Sequence, residues 1–221
     1  MPTDMDDVSA HRIRVADPSD AAAVRSIYAP FCESSSVTFE ETPPTEGELA
    51  DRIESTLETY PWLVCERDSA AQGSASSRTQ SGDGEVVGYA YAGKLRKRRA
   101  YQWVVELSVY VAENARGTGV GRALYESLFA ILERQGVRDA YAVTTLPNPA
   151  TVGFHEDLGF ERVVDFPAMG YTNGDWHDVA WWRHRLAEKT DDPEPITPFP
   201  AVRDDDEFAS LLRSGEPFLE A

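Results

Sequence analysis

The 221-residue chain has few cysteines and no long apolar run. Cys32 and Cys65 are too few for a disulfide scaffold or a thiolate metal cluster, which favours reduced, buried thiols. No stretch approaches the roughly 20 consecutive apolar residues that a membrane helix requires, and residues 1–10 are acidic where a secretory signal would be basic and then apolar. The sequence therefore predicts a soluble, cytoplasmic protein without a metal centre.

Basic charge is also scarce. The chain carries 21 Lys plus Arg against 38 Asp plus Glu, a formal charge of −17, and its only lysines are Lys94, Lys97 and Lys189. Residues 1–10 contribute −3 and residues 187–221 contribute −7, so the body keeps −7. This balance disfavours a nucleic-acid binder, which works by releasing counterions from phosphates. An acidic, lysine-poor surface suggests a halophilic protein, a hypothesis that equal stability and activity in low and molar salt would remove.

Enough apolar residues are present for one core. With 42% apolar and 10% aromatic residues, we expect a single domain over residues 11–186, preceded by an acidic extension at 1–10. The small, polar and glycine-rich residues 69–84 predict a flexible loop between two strands. The acidic, proline-containing tail, residues 187–221, is expected to lie outside the main fold with one docked turn.

Strand and helix patterns are mixed along the domain. Thr45 and Glu48 form a capping box, and Leu49, Ile53 and Leu57 continue one face of the helix that follows. Such an order predicts a mixed sheet covered by helices. The predicted strands are 11–15, 62–66, 86–91, 103–111, 140–144, 161–164 and 178–185, and the predicted helices begin near residues 18, 45, 120 and 149.

A glycine-rich turn at residues 115–122 separates the longest predicted strand from a helix. Its glycines let the backbone turn sharply, and the helix start presents free N–H groups and a positive dipole, which suit phosphate. A dinucleotide fingerprint would need glycine at 122 or 124, where Arg122 and Leu124 stand, and the turn has no Walker lysine. A purely structural turn is the alternative.

The pattern R-x-x-G-x-G at Arg116, Gly119 and Gly121 resembles the coenzyme A loop of the GCN5-related N-acetyltransferase (GNAT) superfamily. Residues 148–160 resemble that superfamily's asparagine-led helix. Residues 37–40, 100–111 and 174–178 are similar to the phosphinothricin N-acetyltransferase family, which includes methionine sulfone and sulfoximine acetyltransferases, and the likeness covers residues 12–186. It implies an α+β GNAT fold with a mixed, mostly antiparallel sheet flanked by helices, acetyl-CoA as donor, a small amino acid's α-amine as acceptor, and a homodimer.

The resemblance also implies how acetyl-CoA would be held. The strand before the turn is expected to splay near residues 109–111 so that the pantetheine arm pairs with its backbone. The implied contacts are the backbone of Val109, Tyr110 and Val111, the diphosphate cradle of Arg116, Gly117, Thr118, Gly119, Val120 and Gly121, and the side chain of Asn148. No metal, nucleic acid or membrane partner is expected.

Two residues are candidates for the chemistry. Glu106 stands among apolar strand residues, where burial would raise its pKa toward the range of a general base, unless it faces solvent at a sheet edge. His155 occupies the family's histidine position and either orients substrate, relays a proton or is a packed helix histidine. No cysteine lies at these motifs to carry an acyl intermediate, which favours direct transfer.

Residues 94–99 place five bases in six positions, a charge that a carboxylate or phosphinate substrate would favour. By family position Arg96, Arg98 and Tyr101 are the expected contacts, with Phe39 as a pocket wall. A solvated hairpin or a patch that attracts anionic CoA remains an alternative. Two other functions also remain open: acetylation of another amine, such as a polyamine, an antibiotic or a protein N-terminus, and a non-catalytic acyl-CoA sensor.

Overall fold

The computed structural model describes residues 11–68 and 84–219. The predicted extension at 1–10 and the predicted loop at 69–84, apart from Gly84, lie outside the described residues. The elements are β1 (His11–Val15), α1 (Ala21–Ser34), α2 (Glu46–Leu57), β2 (Trp62–Asp68), β3 (Gly84–Lys94), β4 (Val104–Val111), α3 (Val120–Gln135), β5 (Asp139–Leu146), α4 (Pro149–Asp157), β6 (Glu161–Thr172), β7 (Asp175–Arg185), α5 (Phe199–Arg203) and α6 (Phe208–Leu212).

The described strands form one sheet in the order β1-β2-β3-β4-β5-β7-β6. Every neighbouring pair is antiparallel except β4 and β5, which run parallel. The mixed, mostly antiparallel α+β fold is therefore confirmed.

Local signals set the helix ends as predicted. The Thr45 hydroxyl accepts a hydrogen bond from the Glu48 amide (3.2 Å), and the Glu48 carboxylate accepts one from the Thr45 amide (2.8 Å). Leu49 and Ile53 of α2 are then buried against the sheet. Further along the chain, Gly136 ends α3 in the left-handed conformation, which glycine adopts without steric cost.

The sheet has a separate core on each face. Helices α1 and α2 cover one face, where Val24 and Ile53 pack with Trp62. Helices α3 and α4 cover the other, where Leu124 packs with strand residues that include Val105 and Leu107. Because successive side chains of a strand point to opposite faces, Glu106 points toward the α1/α2 face.

The tail differs from our expectation that it lies outside the main fold. Phe199 and Val202 of α5 are each only 1% exposed and belong to the core under α3. Lys189 reaches back to the fully buried carboxylate of Asp139 (2.6 Å), and the Trp103 indole donates to the Glu194 carbonyl (2.8 Å). The tail is acidic in composition, but its spaced apolar residues, such as Phe199 and Val202, pack onto the domain.

Strand β6 is also longer than predicted, reaching Thr172 instead of ending near residue 164. Its pairing with β7 shifts register between Arg162 and Val164 and again between Phe166 and Gly170. Each shift interrupts the two-residue alternation on which a strand prediction depends, which explains why the pattern was lost.

Candidate active site

The strand pair β4 and β5 forms a fork. The two strands pair only where Val104–Glu106 meet Asp139–Tyr141, although β4 continues to Val111 and β5 to Leu146. A splay was expected near residues 109–111, and the pairing of the two strands ends earlier, directly after Glu106. Beyond the fork, the facing backbone edges are available to an extended ligand, in the manner of an added strand.

Glu106 lies at the base of this fork. Across the sheet it is paired with Gly93 on β3 and Tyr141 on β5, so those two residues are its neighbours on the same face. A side chain at Gly93 would meet nothing within 4 Å, which leaves room beside the carboxyl. Burial raises the pKa of Glu106, and the positive charge of Arg96 partly opposes that rise. These are properties of a general base.

Arg96 lies on the same face as Glu106. Its guanidinium carbon is 5.5 Å from the centre of the Trp181 ring, and Trp181 packs in turn against Tyr141 and Phe166 at 6.4 Å each. Sequence reasoning missed Tyr141 as the neighbour of Glu106 and Trp181 as the neighbour of Arg96. Strands were predicted at 140–144 and 178–185, but only the register with β4 shows which of their side chains face the carboxyl.

Phe39 lies beside β6. Its ring lies against Gly170 of β6, where a Cβ atom would come within 2.1 Å of the ring. The preceding loop is tied to the β6–β7 turn by a hydrogen bond from the Asn173 amide group to the Ser35 carbonyl (3.2 Å). Glu40 of the same loop binds Arg52 of α2 through both oxygens, so this residue of the family pattern has a structural role.

The other two expected acceptor contacts lie elsewhere. Arg98 is exposed and precedes a short 3-10 turn, Arg99–Tyr101. Tyr101 is 44% exposed and lines a cavity of about 220 Å³ together with Trp103 and Lys189. The structure therefore brings Arg96 near Glu106 and places the loop of Phe39 on the α1/α2 side, and it gives no contact that would bring Arg98 or Tyr101 there.

The glycine turn has the geometry of a phosphate cradle. Gly117 and Gly119 have φ angles of +78° and +82°, a region that other residues rarely adopt. Among the described residues, the first α-helical hydrogen bond of α3 runs from the Ala123 amide to the Gly119 carbonyl (2.9 Å), so the amides of residues 117–122 precede it. Thr118 tightens the turn by donating to the Ala115 carbonyl (2.8 Å). These residues fit the diphosphate of acetyl-CoA.

The remaining cofactor candidates surround this cradle. The Tyr110 ring packs against Tyr28 (4.9 Å) and Phe31 (5.3 Å), which leaves its backbone to face the fork, while Val109 and Val111 pack against the α3-side core. The side chain of Val120 is 1% exposed, so only its amide is offered to a ligand. Arg116 lies over the Phe31 ring at 5.3 Å.

Gly121 and Asn148 have structural duties as well. A Cβ atom at Gly121 would lie 3.3 Å from the Phe154 ring of α4 and 3.6 Å from Val111, so glycine lets the cradle, α4 and β4 pack closely. The Asn148 side chain accepts a hydrogen bond from the Thr151 amide (3.1 Å) and caps α4. The cap uses the side-chain oxygen, so a contact of Asn148 with acetyl-CoA would use its side-chain NH2 group.

His155 lies on the opposite face of the sheet from Glu106. It is 3% exposed and packs against Trp182 (5.6 Å between ring centres) and Phe160 (4.9 Å), both members of the core under α3. Burial lowers the pKa of His155 to about 4, so the imidazole is neutral at pH 7. The two catalytic candidates can therefore share a ligand only through the gap between β4 and β5.

Metal ligands are not grouped in the described ranges, 11–68 and 84–219: over these residues, no cluster of three or more histidine, cysteine or carboxylate side chains could hold a metal ion. None of the helices there combines the length and the hydropathy needed to cross a bilayer.

Comparison with known proteins gives a consistent family. The model of the acetyltransferase (GNAT) domain matches residues 13–181. The chain is 38% identical to a phosphinothricin N-acetyltransferase of Streptomyces viridochromogenes over 84% of its own length and 93% of the relative's. It is 30% identical to an L-methionine sulfoximine/L-methionine sulfone acetyltransferase of Salmonella typhimurium, covering 80% and 95%.

A solved structure supports the same conclusion. The phosphinothricin acetyltransferase of Sinorhizobium meliloti in complex with acetyl-CoA superposes with a TM-score of 0.72 at 31% identity, over 86% of this chain and 98% of that one. The forked strand pair, the glycine cradle and these matches lead to one assignment: the chain belongs to the GNAT superfamily, in the phosphinothricin N-acetyltransferase family.

Proposed function

We propose that the protein transfers the acetyl group of acetyl-CoA directly to the α-amine of a small amino acid of the phosphinothricin or methionine sulfone/sulfoximine type. The observation that carries the proposal is the position of Glu106, a half-buried carboxyl at the base of the β4–β5 fork, on the face that also holds Arg96. The names of the relatives support this class of acceptor.

The donor would lie along the fork. The amides of the cradle, Arg116 to Gly121, would bind the diphosphate at the positive end of α3. The pantetheine arm would then pair with the backbone of Val109–Val111. This path directs the thioester toward Glu106, because the fork closes there.

The acceptor would approach from the α1/α2 face. Arg96 is exposed and lies near enough to Glu106 to influence its pKa, so one amino acid could place its carboxylate on the guanidinium and its α-ammonium on the carboxyl. Phe39 and Trp181 would form apolar walls around the side chain. We propose weaker roles for Arg98 and Tyr101, as outer charge and rim.

The reaction balances with the residues at hand. Glu106 removes one proton from the ammonium, the free amine attacks the thioester carbon, and the carbon–sulfur bond breaks. The second proton of the amine nitrogen passes to the departing thiolate, giving CoA and the N-acetylated product, and Glu106 then releases its proton to water. His155 is neutral, so we assign it hydrogen-bonding to the sulfur side of the gap and not donation from an imidazolium.

The first test is CoA release across a panel of acceptors. Phosphinothricin, L-methionine sulfone and L-methionine sulfoximine should be turned over, and spermidine, an aminoglycoside and an N-terminal peptide should not. If one of the latter three is turned over preferentially, the physiological acceptor is another amine and not a small amino acid. Acetyl-CoA binding without turnover of any acceptor would indicate a sensor.

The second test is Glu106→Gln. Loss of a general base should reduce turnover on the order of 10²-fold or more while the dissociation constant for CoA stays near the wild-type value. Glu113→Gln, at an exposed carboxylate beyond β4, is the matched control and should keep full activity. An equal loss of turnover and CoA affinity in Glu106→Gln would mean that the residue is structural.

We also propose a homodimer formed through β6. This strand is the edge of the sheet, and apolar side chains along it and the adjacent turn are exposed, among them Val163 (52%), Met169 (52%), Tyr171 (56%) and Trp176 (65%). An exposed apolar edge strand of this kind favours pairing with a second copy. Light scattering should give a dimer for the wild type and for the control Ala201→Glu, and a monomer for Val163→Glu. A monomeric wild type would refute the dimer.

We propose a cytoplasmic, salt-adapted protein. Cys32 and Cys65 are buried free thiols, which suits a reducing compartment, and the formal charge of −17 suits strong salt. The free energy of unfolding, measured with urea, and the turnover rate should both increase from low to molar potassium chloride. No change in either would remove the salt adaptation.

A further inference from the structure

The C-terminal tail follows helix α3 from its end to its beginning. The Thr197 amide donates to the carbonyl of Gln135, the last residue of α3 (2.8 Å). Further along the tail, Asp205 forms an ion pair with Arg134 of the same helix end. Near the middle of the helix, Ser127 donates to the Leu212 carbonyl (2.7 Å). The tail thus runs antiparallel to α3 and arrives at the glycine cradle.

Its last described turn is fitted closely to the first half of the helix. The Gly215 amide donates to the fully buried Ser127 hydroxyl (3.1 Å). A Cβ atom at Gly215 would come within 1.8 Å of the Ala123 carbonyl oxygen, so the tail backbone touches the helix backbone there. Such close contact requires glycine at this position.

The same turn reaches the cradle itself. The Phe218 carbonyl lies so near Gly119 that a Cβ atom there would be 1.9 Å from its oxygen. The Phe218 ring lies under the Arg122 guanidinium, 4.4 Å from its carbon to the ring centre. Glu126 approaches the same guanidinium at 3.5 Å, so ring and carboxylate hold it at the start of α3.

We propose that the turn at residues 215–219 is part of the acetyl-CoA site, in which Phe218 positions Arg122 so that its charge acts on the phosphate groups of the cofactor. The inference rests on the proposed function. An aromatic face holds a guanidinium by cation–π attraction without neutralising it. The Glu126 carboxylate approaches Arg122 at Nε (3.5 Å), so the two terminal nitrogens of the guanidinium are the donors that would act on an anion. The close contact between the Phe218 carbonyl and Gly119 ties the turn at residues 215–219 to the backbone of the cradle.

The decisive comparison separates the nucleotide half of the donor from its acyl half. Phe218→Ala and Phe218→Leu should each raise the KM for acetyl-CoA and the calorimetric dissociation constant for CoA by about 5-fold, with kcat nearly unchanged. The KM for S-acetyl-pantetheine, which lacks the nucleotide and its diphosphate, should not change. Phe208→Ala, which truncates a tail aromatic against Phe199 away from the cradle, is the control and should alter neither constant.

A double variant tests whether the effect passes through Arg122. If Phe218 acts by positioning the guanidinium, Phe218→Leu should weaken CoA binding no further in an Arg122→Gln background. Additive losses, equal losses with S-acetyl-pantetheine, or tighter CoA binding in Phe218→Ala would each overturn the proposal. If the wild type and both Phe218 variants bind CoA equally well, the role of the tail is refuted and the proposed function is not. If the wild type binds no CoA, the proposed acetyl-CoA-dependent function itself is refuted.

Discussion

The burial of His155 makes a quantitative prediction about acid sensitivity. Its ordinary pKa is 6.5, and burial lowers the value in the folded protein to about 4. Between these two values the unfolded chain binds the proton and the folded protein does not. Stability is therefore fully retained above pH 6.5 and falls as the pH drops toward 4. Two-state linkage gives a loss of about 2 kcal/mol between pH 7 and pH 5 from this residue.

The variant His155→Phe isolates this effect. Phenylalanine suits a site surrounded by Phe154, Phe160 and Trp182 and cannot bind a proton. Urea unfolding at pH 7, 6 and 5 should show the variant losing about 2 kcal/mol less than the wild type across this range. His184, whose pKa burial also lowers, is present in both proteins and its contribution cancels in the comparison.

Phe160→Leu is the control for a simple packing change in the same cluster. It should lower the free energy of unfolding by a similar amount at each pH and keep the wild-type slope. Parallel curves for wild type and His155→Phe between pH 7 and pH 5 would refute the reasoning. They would mean that the imidazole has a normal pKa, and the assignment of a neutral His155 in the reaction would fail with it.

Three further predictions follow from named contacts. Arg96→Gln should shift the acid limb of the pH–kcat profile to higher pH, because the positive charge that opposes the raised pKa of Glu106 is lost. Arg98→Gln is the control and should leave the acid limb in place. An unshifted limb in Arg96→Gln would contradict the proximity of Arg96 to Glu106. Burial raises the pKa of Cys65 to about 12, so this thiol should resist a disulfide reagent until urea unfolds the chain; prompt labelling would show that it is accessible. Gly215→Ala should destabilise the protein by roughly 1–3 kcal/mol in urea unfolding, and an unchanged midpoint would argue against close docking of the tail.

The features predicted correctly from sequence are those that local chemistry decides. The capping box of Thr45 and Glu48, the sharp turn at the glycines of the cradle and the start of α4 at Pro149 each depend on a few adjacent residues, and each occurs where the pattern placed it. The fork was expected from the family resemblance and not from spacing. Its exact start, after Glu106, depends on the register between β4 and β5, which the spacing of residues within one strand does not determine.

The features that were missed depend on contacts distant in sequence. Phe199 and Phe218 are separated by prolines and acids, so the tail shows no continuous apolar period, and its fit becomes visible only against α3. Tyr141 of β5 is paired with Glu106 of β4, and Trp181 of β7 packs against Tyr141, so the group is assembled from three strands. His155 matched a family position, but its distance from the face of Glu106 follows from the direction in which α4 packs.

The fork shows how the sheet can remain open at its centre. Strand β4 is held along seven residues by β3, and β5 is held along eight by β7, so each strand is fixed from the side away from the gap. Their facing edges share only three paired residues, in the one parallel pair of the sheet. Because each strand is anchored independently, the gap needs no rearrangement before an extended ligand enters it. Weakening β7 should therefore impair acetyl-CoA binding even though β7 lies one strand away, since β5 would then be free to close on β4.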